Sequence, residues 1–370
     1  MNSRNLRILA VALSVVMFCP PPSASAQQSL LVNRGVVQIE TGNSTSTSLK
    51  IVEDLASLVD DGSTRRVVPV VGKGAVQNLI DLRYLRGIDM AILPSNVMDY
   101  VREQNIAGGA DFGIYYIAKL YNEELHILAR PEINSVADLA NKTVNVDPQG
   151  STTASLMASL LRSMAINATF ANDPYELALE KLKKGDIAAV AILGGKPIPV
   201  VAALKSEDGV HLLPIAFDRR ARVSYLPAQL SSEDYPTLVT GGRAVETIAL
   251  GNVLGVADLR FAPERYRNVN NFVEAFFTGF QTLLSTRHHP KWRDVNLAAE
   301  VPGWRRFPAA EQWLQRNQQA VATLSPDDLR TMFSRFVDER RQASGGATLS
   351  IQEKNDLFEQ FRRWQSGQSR

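Results

Sequence analysis

Short β-branched runs alternate along the chain with segments in which apolar residues recur every three or four positions. Leu49, Val52, Leu55 and Val59 show this helical spacing, whereas 66–71 has the composition of a strand. The predicted strands are 36–39, 66–71, 90–93, 124–129, 143–146 and 187–193, and the predicted helices are 46–59, 76–82, 135–140, 152–164 and 174–184. This alternation predicts βαβ units and parallel sheets.

The pattern becomes helical and polar towards the C-terminus. An apolar run over 248–256 is followed by predicted helices at 264–284, 309–324, 326–342 and 351–365. Gly345 and Gly346 form a flexible break between the last two helices. We therefore expect a helical C-terminal extension over residues 306–370, whose mixed charges favour a solvated face over a membrane face.

Two parts of the chain resemble each other. Residues 36–49 and 143–156 both contain a strand, an acidic residue, a polar turn and the sequence Ser-Thr-x-x-Ser-Leu at the start of a helix. Further along, 87–95 parallels 185–195. Two similar α/β units indicate a protein of two lobes with a cleft between them. A chance similarity stays open as the alternative, because βα turns use few residue types.

The N-terminal segment has the pattern of a secretory signal peptide. Arg4 and Arg7 precede a short apolar run over 8–18, and Ala24-Ser25-Ala26 provides a cleavage site. We expect cleavage after Ala26 and a periplasmic location; the alternative is a membrane anchor or a buried helix, although the run is shorter than the about 20 residues that span a bilayer. Cys19, the single cysteine, follows the bulky Phe18, which argues against a lipid anchor.

Composition narrows the classes of protein. The length of 370 residues fits two domains or one large domain. The composition, with 45% hydrophobic and 21% charged residues, argues against a disordered chain. Forty lysines and arginines against 38 acidic residues give no basic excess of the kind that nucleic-acid binders show. We therefore expect no nucleic-acid partner.

No motif of a catalytic or metal site is present in the sequence. The four histidines lack metal-ligand spacing, and there is no P-loop, dinucleotide-binding fingerprint or nucleophile elbow. We expect no enzymatic activity, no cofactor and no metal. An enzyme on the same fold stays open, because two carboxylates that face each other across a cleft leave no motif in a sequence.

The polar turns that open two predicted helices are the leading candidates for a binding site. A helix start presents unsatisfied N–H groups and a partial positive charge, so two starts from two lobes would hold an anion. Ordinary N-capping by serine and threonine is the alternative. With positions that follow the predicted strands, the candidate ligand-binding residues are Thr41, Gly42, Ser44, Thr45, Ser46, Thr47, Lys73, Gly74, Gln77, Ser95, Asn96, Gln149, Gly150, Ser151, Thr152, Thr153, Gly195 and Lys196.

Several short motifs carry a family resemblance over about residues 35–305. They are Thr41-Gly42 with the polar turn to Leu49, Asp54-Leu55-Ala56, Gly74-x-x-x-Asn78-Leu79, Asp89-x-Ala91-Ile92-x-x-Ser95-x-Val97, Gly150-Ser151-Thr152-Thr153 and Gly195-x-Pro197-x-Pro199. In this order and spacing they resemble the TAXI family, the solute receptors of TRAP-type (tripartite ATP-independent periplasmic) transporters.

The resemblance implies an α/β, two-lobed periplasmic binding protein fold of type II-like form, with a hinge and a central cleft. Lobe one would comprise 35–128 and 245–305, and lobe two 129–244. It implies a monomeric receptor that hands a small carboxylate, such as glutamate, glutamine or 2-oxoglutarate, to a TRAP-type permease. A ligand-sensing adaptor for a membrane receptor kinase, or a non-transport descendant of the fold, stays open.

The first loop departs from the family pattern. Ser46 stands where the family has a glycine, and Ser48 and Leu49 replace a pair of tyrosines that would wall the pocket. In the second loop, Thr152 stands where the family has a glycine. These changes affect the expectation about the ligand more than the expectation about the fold.

Overall fold

The computed structural model describes residues 35–106, 113–216 and 225–322. The strands are β1 (Val36–Thr41), β2 (Arg66–Val71), β3 (Met90–Pro94), β4 (Tyr115–Ala129), β5 (Thr143–Asn145), β6 (Thr169–Ala171), β7 (Ala189–Gly194), β8 (His211–Leu212), β9 (Leu226–Leu230), β10 (Val245–Val256) and β11 (Arg305–Arg306). The α-helices are α1 (Thr47–Val59), α2 (Ala75–Tyr84), α3 (Val97–Glu103), α4 (Thr152–Ser163), α5 (Tyr175–Lys184), α6 (Pro199–Ala202), α7 (Pro263–Gly279) and α8 (Pro308–Ala322). Short 3-10 helices lie at Val136–Leu139, Ser206–Asp208, Phe280–Leu284 and Pro290–Asp294.

The helices form where the apolar periodicity and the capping residues agree. In α1, Ile51, Val52, Leu55 and Val59 are buried on one face. Helix α5 ends at Gly185, whose φ of 85° is the left-handed conformation that glycine adopts without strain. The segment predicted as a helix over 135–140 is shorter in the structure and forms a 3-10 helix at Val136–Leu139.

The strands form one mixed sheet of 11 strands. The main path runs β2-β1-β3-β10-β4-β7-β5-β6. Strands β1, β2 and β3 are parallel, as are β5, β6 and β7, but β10 is antiparallel to β3 and β4, and β4 is antiparallel to β7. The expectation of purely parallel sheets was therefore wrong, because two long strands run through the middle in opposite directions.

Those two central strands connect two hydrophobic cores. The core around α1, α2 and α7 includes Tyr121 from β4 and Val253 from β10. The core around α4 and α5 takes up β4 from Leu125 onward and β10 up to Leu250. Each strand thus passes from one lobe into the other, at 122–124 and 251–252. The expected α/β fold of two lobes is confirmed.

Several elements differ from the prediction. Strand β4 begins at Tyr115, well before the predicted start, and the apolar run over 248–256 is the inner part of β10. The short strands β6, β8, β9 and β11 were not predicted. Helix α8 confirms the start of the predicted helix over 309–324.

Two predictions fall outside the described residues. They are the signal peptide over 1–26 and the C-terminal helices beyond Ala322. Among the helices that the structure describes, none combines the length and the apolar character needed to cross a membrane.

Candidate functional site

A cavity of about 860 Å³ lies between the two lobes. Its wall is formed by the loops after β1, β2, β5 and β7, by the starts of α1, α2 and α4, and by side chains from β4 and β10. This position, at the carboxyl ends of strands, is where open α/β sheets place ligands. The cavity contains polar and apolar surface, as binding sites for small molecules do.

The first loop is closed by its own hydroxyl groups. The Ser48 hydroxyl accepts the N–H of Gly42 at 2.7 Å and lies 2.9 Å from the Ser46 hydroxyl. Ser46 in turn accepts the N–H of Leu49 at 3.3 Å and caps α1. Ser46 and Ser48 therefore hold the loop together, and the N-capping interpretation is confirmed for Ser46.

The second loop is built in a similar way. Ser151 caps α4 by accepting the N–H of Ala154 at 3.1 Å. Before it, Asp147 adopts a left-handed φ of 70°, and its backbone carbonyl accepts the Asn172 amide at 2.6 Å. This turn directs the buried Asp147 side chain to the cavity wall.

Four contacts among the described residues join the lobes around the cavity. Three are hydrogen bonds: from the Asn43 amide to Asp147 at 3.4 Å, from Ala75 N–H to the Thr152 hydroxyl at 3.3 Å, and from Gly195 N–H to the Thr47 hydroxyl at 3.0 Å. The fourth is the close approach of Gly74 to the carbonyl of Gly150. The structure therefore describes a conformation in which the lobes are in contact.

The acidic groups of the cavity have raised pKa values. Burial raises the pKa of Glu123 to about 7, although the neighbouring Asn252 amide and Tyr121 hydroxyl act in the opposite direction. Burial also raises the pKa of Asp147 to about 6, partly offset by a hydrogen bond from Tyr175. Both carboxyl groups thus titrate near neutral pH.

The two candidate lysines lie in different surroundings. Lys73 is exposed at the cavity wall. Lys196 lies outside it, because its ammonium binds Asp234 at 2.9 Å and the carbonyl of Gln229 at 2.7 Å. Of these two candidates, Lys73 therefore lies at the cavity wall and Lys196 does not.

The structure brings together most of the candidate residues. Those in the cavity wall are Gly42, Ser44, Thr45, Ser46, Thr47, Lys73, Gly74, Gln149, Ser151, Thr152 and Thr153. Those outside it are Thr41, Gln77, Ser95, Asn96, Gly150, Gly195 and Lys196. Of these, Gln77 bonds Asp81 at 2.8 Å, and Asn96 lines a smaller neighbouring cavity.

Sequence reasoning missed several polar residues of the cavity wall. They are Asn43, Ser48, Lys50, Asn78, Glu123, Asp147, Tyr175, Glu176, Asn252 and His289. Asp147 had a usable signal, since it is the acidic residue that follows the strand in the repeated pattern. Glu123 and Asn252 had none, because they lie within strands whose pairing the sequence does not reveal.

Comparison with known proteins assigns the family. The model of the NMT1-like family matches residues 39–264, and the chain belongs to this family. The match contains both polar loops and the two central strands that form the cavity.

Several solved structures have a similar fold at low identity. The alkanesulfonate-binding protein SsuA from Xanthomonas axonopodis pv. citri, bound to MOPS, is 14% identical with a TM-score of 0.42, and the match covers 83% of this chain and 93% of that one. A periplasmic binding protein from Brucella ovis with glutathione bound is 13% identical with a TM-score of 0.40, covering 84% and 79%. The periplasmic binding protein BugD is 13% identical with a TM-score of 0.45, covering 76% and 93%. Similarity at this level does not identify the ligand of this chain.

Proposed function

We propose that this chain is an exported solute-binding protein that captures a small anionic solute, a carboxylate such as glutamate, glutamine or 2-oxoglutarate, in the cavity between its lobes. One observation carries the proposal: α1 from one lobe and α4 from the other both begin at the wall of the same cavity. Helix starts attract anions through free N–H groups and a partial positive charge.

The capping serines leave hydrogen-bond donors for a solute. Ser46 and Ser151 each accept one N–H group of the helix that follows. A helix start has four N–H groups without an intrahelical acceptor, so others remain in each first turn. Lys73 adds an exposed positive charge at the wall. These groups together suit a carboxylate.

The size of the cavity also suits a small molecule. At about 860 Å³ it lies within the range of roughly 300–1,000 Å³ that is typical of small-molecule sites. A solute larger than glutamate, or a small carboxylate accompanied by water molecules, fits this volume.

In this proposal the mature protein is a periplasmic monomer that delivers its solute to a TRAP-type permease. The lobes have, to within a few residues, the bounds expected from the sequence, which are 35–128 with 245–305 for lobe one and 129–244 for lobe two. The parts of β4 and β10 that pass between the two cores form the hinge. The signal-peptide pattern, the ordered motifs and the passage of both strands between two cores support it. A solute that contacts both lobes would favour the closed state.

Thermal shift of the protein over residues 27–370, against amino acids, dicarboxylates, oxo-acids and neutral sugars, tests the binding function. A ligand at 100 times its dissociation constant stabilises by about 2.7 kcal/mol, which raises the midpoint by a few degrees. We expect shifts with carboxylates and none with the sugars. Lys73→Met should weaken the effect, whereas the control Lys142→Met, at an exposed turn, should not.

The outcomes separate the parts of the proposal. A protein that binds no carboxylate, or that prefers neutral sugars, contradicts the binding function. If a carboxylate binds, its uptake into cells that carry a TRAP permease is measured with and without this protein. Equal uptake would contradict the transport role and favour the ligand-sensing adaptor.

A further inference from the structure

Two polar side chains meet at the floor of the cavity, where the central strands pass between the lobes. Glu123 on β4 pairs in register with Leu250 on β10, and Asn252 lies two residues further along β10. The pairing shifts between Gly251 and Val253, so the ladder is irregular at Asn252. Glu123 and Asn252 both line the cavity.

Asn252 carries a hydrogen-bond donor without an acceptor. The residue is 2% exposed, and among the described residues its Nδ2 atom has no hydrogen-bond partner. A buried donor without a partner is costly, and native structures rarely keep one unless a ligand, an ion or water supplies the acceptor. Since this atom lies at the wall of a binding cavity, it indicates an acceptor on the solute.

The Glu123 carboxylate, in turn, lacks a strong hydrogen-bond donor in the described part of the chain. Its neighbour Glu124 faces away from the cavity and binds the ammonium of Lys291 at 2.6 Å. Glu123, in contrast, has no such ion pair among the described residues and receives one hydrogen bond, from the Tyr121 hydroxyl at 3.3 Å. A carboxylate that faces a cavity without a cation is an acceptor for an N–H donor.

We propose that the solute of this cavity carries an amide group, whose carbonyl oxygen accepts from Asn252 Nδ2 and whose N–H donates to Glu123. This inference rests on the proposed function and names the substrate class more closely: a carboxylate that also contains an amide. The helix starts hold the carboxylate, and the floor holds the amide.

Other chemical groups on a solute would form a hydrogen bond or ion pair with only one of the two side chains at the floor of the cavity. A second carboxylate would accept from Asn252 but would lie beside the like charge of Glu123. An ammonium group would suit Glu123 but would leave the Asn252 donor without an acceptor. An ester or ketone offers the acceptor and lacks the N–H. A carbonyl next to an N–H donor serves both side chains, each through a separate atom.

Calorimetric titration of the protein over 27–370 with matched amides and esters tests this inference. The pairs are N-acetylglycine with O-acetylglycolate, and N-methylsuccinamate with monomethyl succinate. The members of each pair share a carboxylate and differ by the replacement of the amide N–H with an oxygen. We expect each amide to bind at least about 10-fold more tightly than its ester, because the ester leaves Glu123 without a donor.

Variants assign the preference to the two side chains. Glu123→Met should bring the amide-to-ester ratio close to one, and Asn252→Leu should weaken both members of a pair, because both use the carbonyl. Glu180→Gln is the control: it removes an exposed acidic group of α5 that lies outside the cavity wall, and it should leave the ratio unchanged. Thermal midpoints of all variants report whether each remains folded.

Each result has one meaning. Equal affinity for amide and ester, or binding of dicarboxylates or free α-amino acids but of no amide, overturns the inference and leaves the proposed function in place. The same holds if the preference survives Glu123→Met in a folded protein. If no carboxylate of any kind binds, the proposed function itself fails and the inference fails with it.

Discussion

At the scale of single residues, the structure separates acidic groups that have partners from those that do not. Glu124 lies in a buried ion pair with Lys291, whereas Glu40 on β1 is 3% exposed and its Oε2 atom has no hydrogen-bond partner among the described residues. Burial, with the nearby Asp81 carboxylate, raises the pKa of Glu40 to about 7. The two glutamates therefore respond differently to pH and to mutation.

We predict that Glu40→Gln stabilises the protein above pH 7 and has little effect at pH 4. The folded-state pKa of Glu40 is raised from 4.5 to about 7. The contribution of Glu40 to the free energy of unfolding is therefore highest below pH 4.5, where its side chain is protonated, and it falls as the pH rises through 7. Glutamine mimics the protonated form and avoids this loss of roughly 3 kcal/mol. Urea unfolding at pH 4 and above pH 7 measures the free energy of unfolding. The control Glu53→Gln, at an exposed side chain, should change this free energy little at either pH.

We also predict that Lys291→Met destabilises the protein by about 3–5 kcal/mol, because it leaves Glu124 buried without its cation. Lys50→Met, which removes an exposed partner of Glu53, should cost at most about 1 kcal/mol. Urea midpoints for both variants make the comparison. Equal losses of stability in the two variants would contradict the view that burial determines the free-energy cost of breaking an ion pair.

At the scale of elements, most helices and the strands β1, β2 and β3 could be predicted, because their signals are local. Helices α1 and α4 have an apolar face and a capping serine, and both were predicted to within about one residue at their starts. The central strands could not be predicted in full. The first part of β4 pairs with β10, and β10 also pairs with β3 and β9, so these partners come from distant parts of the chain.

The cap of α4 gives a prediction at this scale. Ser151→Ala should destabilise the protein by about 1 kcal/mol, because the N–H of Ala154 loses its acceptor. Ser163→Ala in the last turn of the same helix is the control, since its hydroxyl binds the Leu160 carbonyl, which water can replace. Thermal midpoints should fall for the first variant only. Similar midpoints would show that the cap contributes little.

At the scale of the whole molecule, the contact between the lobes depends on positions without side chains. Gly74 lies so close to the Gly150 carbonyl that a methyl group there would overlap it. Gly195 leaves space for Lys291 and Thr47 in the same way. These contacts join segments of the two lobes that are far apart in sequence.

We predict that Gly74→Ala holds the lobes apart. The added methyl group meets backbone across the cleft, so the radius of gyration from small-angle scattering should rise and solute affinity should fall about 10-fold or more. Gly62→Ala is the control, because its φ of 75° is also positive but no atom lies within 4 Å of the added group. Equal scattering from both variants would contradict this account of closure.

The sequence by itself determined the α/β class, the two-lobed arrangement, most helices and the two polar loops. These follow from periodicity, capping residues and a repeated local pattern. The tertiary structure alone decided the mixed sheet, the positions of Lys73 and Lys196, and the floor formed by Glu123 and Asn252. Strand pairing, the register shift between Gly251 and Val253 and the burial of single charges arise from contacts between distant segments, and such contacts leave no local signal in a sequence.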